Sequence, residues 1–215
     1  MPRRALAVAE TIAATALVVL AYKAAKLVEP AGWNHAPGIV MALATLALHR
    51  IHGAGGLEFG VVTQRWKPAA ILAVLGLVAV AFASGAALGA GVEPAAVGRV
   101  VLQRLLFAGV CEELFFRGYV QSRLDAVLGR PAPVLGAQVG GGLVVSALLF
   151  GAIHVLNPAR VFAGPWELAW GSGAGSFASG LVFGWLRART GNIWPGVVLH
   201  GTSGAVRTLL AAARP

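Results

Sequence analysis

The sequence predicts an all-α fold: a multi-pass transmembrane helical bundle of about seven or eight membrane helices. Three observations carry that reading. The residues AVILMFWYC make up 58 % of the 215-residue chain, and Gly contributes 29 positions. Charged residues are 12 %, against about 25 % in ordinary soluble domains. Mean hydropathy is +0.78. A soluble domain of this length cannot bury so much apolar surface, and a disordered chain is far more polar. The single cysteine, Cys111, leaves no intramolecular disulfide to hold the fold. The whole chain, 1–215, reads as one integral membrane domain without a polar linker, internal repeat or soluble module.

A hydrocarbon core of about 30 Å takes about 20 helical residues, and seven apolar stretches can be drawn. Residues 5–28 come first. Arg3 and Arg4 precede them in the manner of a signal peptide, but the run is long, Glu10 interrupts it and no clear cleavage site follows. It reads as a retained helix, with Glu10 and Lys23 near its ends, where long side chains reach the interface. The second run, 37–48, is short and borrows residues 33–36, including Trp33. The third, 69–90, is the cleanest. The fourth, 95–119, carries Arg99, Arg104, Glu112, Glu113 and Arg117. The fifth, 133–156, is stopped by Pro158. The sixth and seventh are 166–186 and 193–213. His35, His49 and His52 fall in or near loops and read as solvated.

Lys plus Arg number 17 against 8 Asp plus Glu, a formal net charge of +9. In a soluble chain that balance suggests nucleic acid. Here the cations occupy the spacers between apolar runs and no nucleic-acid motif is present, so no nucleic-acid partner is expected. The cations instead set topology, and the richer side, that of the N-terminus, reads as cytoplasmic. Gly136 with Gly140, Gly171 with Gly175, and Gly180 with Gly184 match GxxxG and read as close-packing positions of the bundle.

The sharpest anomaly is Glu112 beside Glu113 inside an apolar run. An ionisable group at the bilayer centre costs about 2.5–3.5 kcal/mol on insertion scales and marks function by default. Helical spacing sorts the pair. Glu113 and Arg117 are four apart, in the favourable order for an ion pair, and read as structural. Glu112 points about 100° away, which leaves its carboxylate free for general-base work. Arg104 or Arg99 is its alternative, structural partner. His154 and His200 lie at membrane depth in the fifth and seventh runs, and Asn157 follows His154 by three residues. Two carboxylates and two histidines on three segments suit the activation of a water inside a membrane. Cys111 reads as a small buried hydrophobe rather than a nucleophile. HExxH and a Cys pair are both missing, so no metal or cofactor is expected. Glu112, His154 and His200 form the lesser alternative of a three-ligand zinc site.

These residues resemble a known family. EELFFR at 112–117 fits EExxxR, FGAIH at 150–154 fits FxxxH, and His200 follows Trp194 and Pro195. In this order the motifs resemble the CPBP intramembrane proteases, which include the CAAX prenyl proteases and many bacterial homologues. The resemblance covers 100–204 as the catalytic core and leaves 1–95 as accessory N-terminal helices. It implies Glu112 as the base that activates water, His154 as the group that holds and polarises it, and His200 as a stabiliser of the oxyanion. Glu113 and Arg117 would position the site, with Phe150 and Asn157 in support. It further implies a glutamate-type peptidase without a catalytic metal. The third motif of the family is HxxxN or HxxxD, whereas this chain has Gly204 at the last position. Losing one oxyanion donor costs about 100- to 1000-fold in turnover. Asn157, Thr202 and Ser203 are the candidates to replace it, Asn157 first.

The expected function is therefore an intramembrane endopeptidase. It would cleave a membrane-associated, lipid-modified or C-terminal hydrophobic segment of a protein, in a lipid bilayer such as a bacterial inner membrane. Two rival classes remain. A weak or inactive member would act as a membrane binding or immunity protein. A proton-coupled transporter would use Glu112 and His154 as a relay, although the paired broken helices of such proteins are not evident.

Overall fold

A computed structural model of the chain describes residues 3–29, 35–52, 58–61, 66–162, 164 and 166–214. Trp33, which the second run was expected to borrow, lies outside the described residues. Among those described there are seven helices: α1 (Arg3–Ala25), α2 (Ala36–His52), α3 (Lys67–Gly89), α4 (Pro94–Leu128), α5 (Gly141–Val155), α6 (Trp170–Thr190) and α7 (Trp194–Ala212). A short antiparallel hairpin, β1 (Ala132–Val134) with β2 (Ala137–Val139), joins α4 to α5. Three helices, α1, α3 and α4, are long and apolar enough to cross a membrane, and α5 is a shorter apolar helix.

The outward faces show why this bundle belongs in a bilayer. Helix α3 exposes Ile71, Val74, Leu75, Val78 and Phe82 and buries only Val80, Ala83 and Ala87. A helix that is apolar all round is a membrane span when it is not buried in protein. Helix α1 turns Ala7, Thr11, Val18 and Tyr22 inward and Leu6, Leu17 and Leu20 outward. The interior core is aromatic: Phe115, Phe116 and Tyr119 of α4 pack with Tyr22, Met41 and Phe150.

Helix α4 is not a uniform α-helix. Two π-helical stretches, Gln103–Val110 and Leu114–Gln121, flank one turn of α-helix at Cys111–Glu113. Such wide turns re-aim side chains and are frequent at functional sites. The first stretch lies backbone to backbone on α7. A Cβ on Gly109 would stand 2.9 Å from the Val197 carbonyl oxygen, and one on Gly201 would stand 3.0 Å from that of Arg104. No other residue type permits that approach, and it runs the two helices antiparallel.

Several expectations change. The fourth run extends to Leu128. The fifth starts only at Gly141, because 132–139 form the hairpin. Leu135 and Gly136 both take positive φ, 45° and 75°, as a two-residue hairpin turn of the primed kind demands. Gly136 and Gly140 therefore flank β2 instead of packing helices. Gly171 and Gly175 meet nothing within 4 Å. Of the three GxxxG pairs, Gly180 and Gly184 behave as read, and their carbonyls accept from Arg117 and Gln121.

Some of the solvated and snorkelling residues are also corrected. His49 and His52 lie within α2 instead of a loop; His49 is exposed, as expected, and meets the Phe59 ring at a right angle, whereas His52 is half-buried and paired with Glu10. His35 stacks on Phe107. Lys23 does not snorkel. Its Nζ is turned inward and donates to the carbonyls of Leu156, Asn157 and Ala159 at 2.7–2.9 Å. A cation on the carbonyls just past the end of α5 satisfies groups that the helix leaves open and complements its dipole.

Candidate active site

The turn Cys111–Glu113 projects its two glutamates to different tasks. Glu113 is fully buried and pairs with Arg117, Oε1 to Nη1 at 2.9 Å. This is the ion pair that the four-residue spacing announces. Arg117 is nearly as buried. Its guanidinium lies 4.5 Å from the centre of the Phe150 ring and 5.2 Å from that of Phe183, and Nη2 donates to the Gly180 carbonyl at 3.2 Å. Aromatic faces around a desolvated cation stabilise it further.

His200 of α7 reaches across to both glutamates. Its Nδ1 donates to Glu113 Oε1 at 3.1 Å, and its Nε2 stands 3.9 Å from Glu112 Oε2. The ring stacks on Phe183 with centroids 5.2 Å apart and meets Phe150 edge-on at 5.5 Å. The third element is α5. His154 Nδ1 donates to the Phe150 carbonyl at 2.8 Å. A carbonyl only accepts, so the neutral ring carries its hydrogen on Nδ1 and leaves the Nε2 lone pair free. Lys23 holds the chain just beyond this helix. Phe150, between the two histidines and beneath Arg117, fixes the spacing of the whole group.

Glu112, Phe150, His154 and His200 line one cavity of about 310 Å³. The buried Oε2 of Glu112 has no hydrogen-bond partner. Glu113 and Arg117 stand behind the cavity wall. The cavity is polar beyond these residues: Ser172, Ser176 and Ser179 of α6 and Ser203 of α7 line it, with Arg104 and Arg207. Gly171 and Gly175 belong to this wall, so they open space for a ligand rather than close the bundle.

Asn157 is brought elsewhere. It is exposed, does not line the cavity, and its Oδ1 accepts from the Tyr22 hydroxyl at 3.4 Å. The chain turns away at Pro158, which carries Asn157 past the end of α5 toward α1. Thr202 donates to the Val198 carbonyl. Of the three residues expected to replace the missing donor at Gly204, Ser203 alone lines the cavity, and its hydroxyl donates to the His200 carbonyl at 3.1 Å. Cys111 is buried in the aromatic core and does not line the cavity. Among the described residues, no group of three or more His, Cys, Asp or Glu is placed to hold a metal ion.

Sequence reasoning missed the cavity role of Arg104, Arg207 and the serines. Arg104 had a signal, since it shares an apolar run with Glu112. The serines had one too, since 172, 176 and 179 recur at helical spacing.

The model of one protein family, described as "Type II CAAX prenyl endopeptidase Rce1-like", matches residues 94–206. Neither a curated protein nor a solved structure matches the chain.

Proposed function

Since the chain belongs to the Rce1-like family of type II CAAX prenyl endopeptidases, a family of membrane proteases, we propose that it is an intramembrane glutamate-type endopeptidase. Its substrate is a membrane-associated protein carrying a lipid or a hydrophobic C-terminal segment, and its site of action is a cell membrane such as the bacterial inner membrane. The observation that carries the reading is one cavity lined by Glu112, His154 and His200, with a buried Glu112 oxygen left unpartnered.

The chemistry follows from the hydrogen-bond roles. A water in the cavity donates one hydrogen to Glu112 and the other to the free Nε2 of His154. Its oxygen then attacks the scissile carbonyl as Glu112 takes the proton. The developing oxyanion is met by His200 Nε2, which donates when the ring carries both protons. Glu113 on the other ring nitrogen holds the ring in place for that contact. Glu112 returns its proton to the leaving amine. Glu113, Arg117 and Phe150 hold the reacting groups without touching substrate. No step calls for a metal, so a chelator should leave turnover unchanged.

The test is peptide cleavage by purified protein in lipid nanodiscs, with a prenylated peptide as probe. Glu112→Gln and His154→Ala should each lower cleavage by at least about a hundredfold. Full activity in both would sink the mechanism. Loss of activity on chelation, restored by zinc, would favour the three-ligand metal alternative.

A further inference from the structure

A second cavity, of about 1010 Å³, lies between α2, the last turn of α6 and the segment 58–61, and shares no lining residue with the catalytic one. Residues 42, 46 and 49 recur at i, i+4 and i+7 on α2 and so share one face. All three line the cavity, first the apolar Ala42 and Leu46, then His49 near the helix end. The wall thus grades from apolar to polar over about 10 Å along the helix axis. Leu114 of α4 adds apolar surface. It stands two residues on from Glu112, about 200° round the helix, so this cavity lies behind the catalytic turn.

The polar end is held by the backbone. The Glu58 carbonyl accepts from Arg187 Nη2 at 3.0 Å, the Gly60 carbonyl from the Ile193 N–H at 3.0 Å, and the Val61 carbonyl from Trp194 Nε1 at 2.9 Å. Gly60 takes a φ of 66°, and a Cβ there would stand 2.6 Å from Arg187 Cζ, so glycine lets the segment lie on the guanidinium. These bonds set Glu58 in the cavity wall, which it shares with His49 and Arg189. Arg189 Nη1 donates to the Gly136 carbonyl of the hairpin, which fixes that cation beside the end of α6.

The depth suits a lipid. Glu10, near the start of α1, pairs with His52 at the end of α2, so the end of α2 lies on the same side as the N-terminus, the cation-rich side. Trp194, bonded to Val61, is of the residue type that gathers at membrane–water interfaces. Apolar surface along one part of a cavity and charges of both signs along another match a zwitterionic phospholipid. A purely anionic headgroup leaves Glu58 without a partner. A quaternary choline nitrogen carries no N–H for it, whereas a primary ammonium carries three. Arginine and histidine in turn donate to a phosphate. We infer that this cavity binds one molecule of phosphatidylethanolamine. Its ammonium lies on Glu58, its phosphate on Arg189 and His49, and an acyl chain along Ala42, Leu46 and Leu114.

The experiment is native mass spectrometry of the purified protein, released from dodecyl maltoside micelles that hold dioleoyl phosphatidylethanolamine, phosphatidylcholine or phosphatidylglycerol. The wild-type protein should retain the ethanolamine lipid at about tenfold lower lipid concentration than either of the others. Glu58→Gln, at an exposed position, should bring the ethanolamine and choline lipids level. Ala42→Leu puts bulk where the acyl chain lies and should weaken retention about fivefold or more. A melting curve without added lipid checks that each variant folds. Equal retention of ethanolamine and choline lipids by the wild-type protein overturns the assignment. So does a Glu58→Gln protein that keeps the wild-type preference. Preferred binding of phosphatidylglycerol would make this a site for anions alone. Displacement of the bound lipid by a farnesylated peptide would give the cavity to a substrate's own anchor. Either result overturns the assignment as well. The readout needs no cleavage, so it stands or falls apart from the peptidase reading.

Discussion

Glu10 and Glu112 are both carboxylates set within membrane-spanning helices, and the fold treats them in opposite ways. Glu10 is partnered throughout. Its Oε1 accepts from the Tyr119 hydroxyl at 2.5 Å and faces His52 Nε2 at 2.8 Å, and its Oε2 pairs with Arg123 at 2.9 Å. That cluster ties α1 to α2 and α4. Glu112 has a histidine at 3.9 Å and a buried oxygen with no hydrogen bond. Placing either carboxylate in an apolar helix costs several kcal/mol. At Glu10 the cost is offset by structure. At Glu112 it is not, and its counterpart is sought in reactivity: stability is locally given up where chemistry is done.

The comparison predicts a crossing of effects, the largest at Glu112 itself. Glu112→Gln should cut peptide turnover by about 100- to 10,000-fold, yet its thermal unfolding in detergent should match or exceed that of the wild-type protein. A marked drop in Tm would show that Glu112 is structural after all and dissolve the contrast. Arg117→Met comes next. It leaves Glu113 buried with His200 alone, and breaking a buried pair by removing one partner costs about 3–5 kcal/mol. Denaturant unfolding of the purified variant measures it. A loss below about 1 kcal/mol, the range of exposed pairs, would mean that Glu113 is held by His200 without help.

How much of this was legible in the sequence follows the range of the interaction. The Glu113–Arg117 pair needs only helical spacing, and it stands in the fold at 2.9 Å. The membrane class needs only composition. The positions of the apolar runs were legible to within several residues, but the fifth was misplaced because a hairpin turn at Leu135 and Gly136 overrides hydropathy. The π-helical stretches of α4 have no periodic signature in an apolar run. Asn157 was drawn to the site by its spacing from His154, which fails once the helix ends. Lys23 and Glu10 read as snorkelling because their partners, Leu156 to Ala159 for the one and His52, Tyr119 and Arg123 for the other, stand on other segments far along the chain, which no local pattern spans.

Lys23 gives the next smaller effect. Lys23→Met keeps the stem and removes the three donors to the carbonyls after α5. Some of those carbonyls can turn to water at the exposed Asn157, so the loss should be about 1–3 kcal/mol. Because α5 carries His154, cleavage should fall as well, through kcat more than KM. A stable variant with unchanged kcat would show that the accessory helix does not position the site.

The smallest effect closes the comparison. Glu10→Gln keeps an amide oxygen for the Tyr119 hydroxyl and loses the charge that Arg123 faces. About a quarter of that side chain is reached by solvent, 24 % for Glu10 and 21 % for Arg123, so the pair is worth about 0–1 kcal/mol. Tm should therefore fall slightly and turnover should stay within about twofold, since that free-energy range gives only a small factor even if all of it reached the barrier. The same isosteric change at two intramembrane carboxylates then separates cleanly: at Glu10 a little stability is lost and activity remains, at Glu112 activity is lost and stability remains. A Glu10→Gln protein that folds normally but no longer cleaves would place the α1–α2–α4 cluster in the catalytic machinery, and the contrast between the two carboxylates would have to be redrawn.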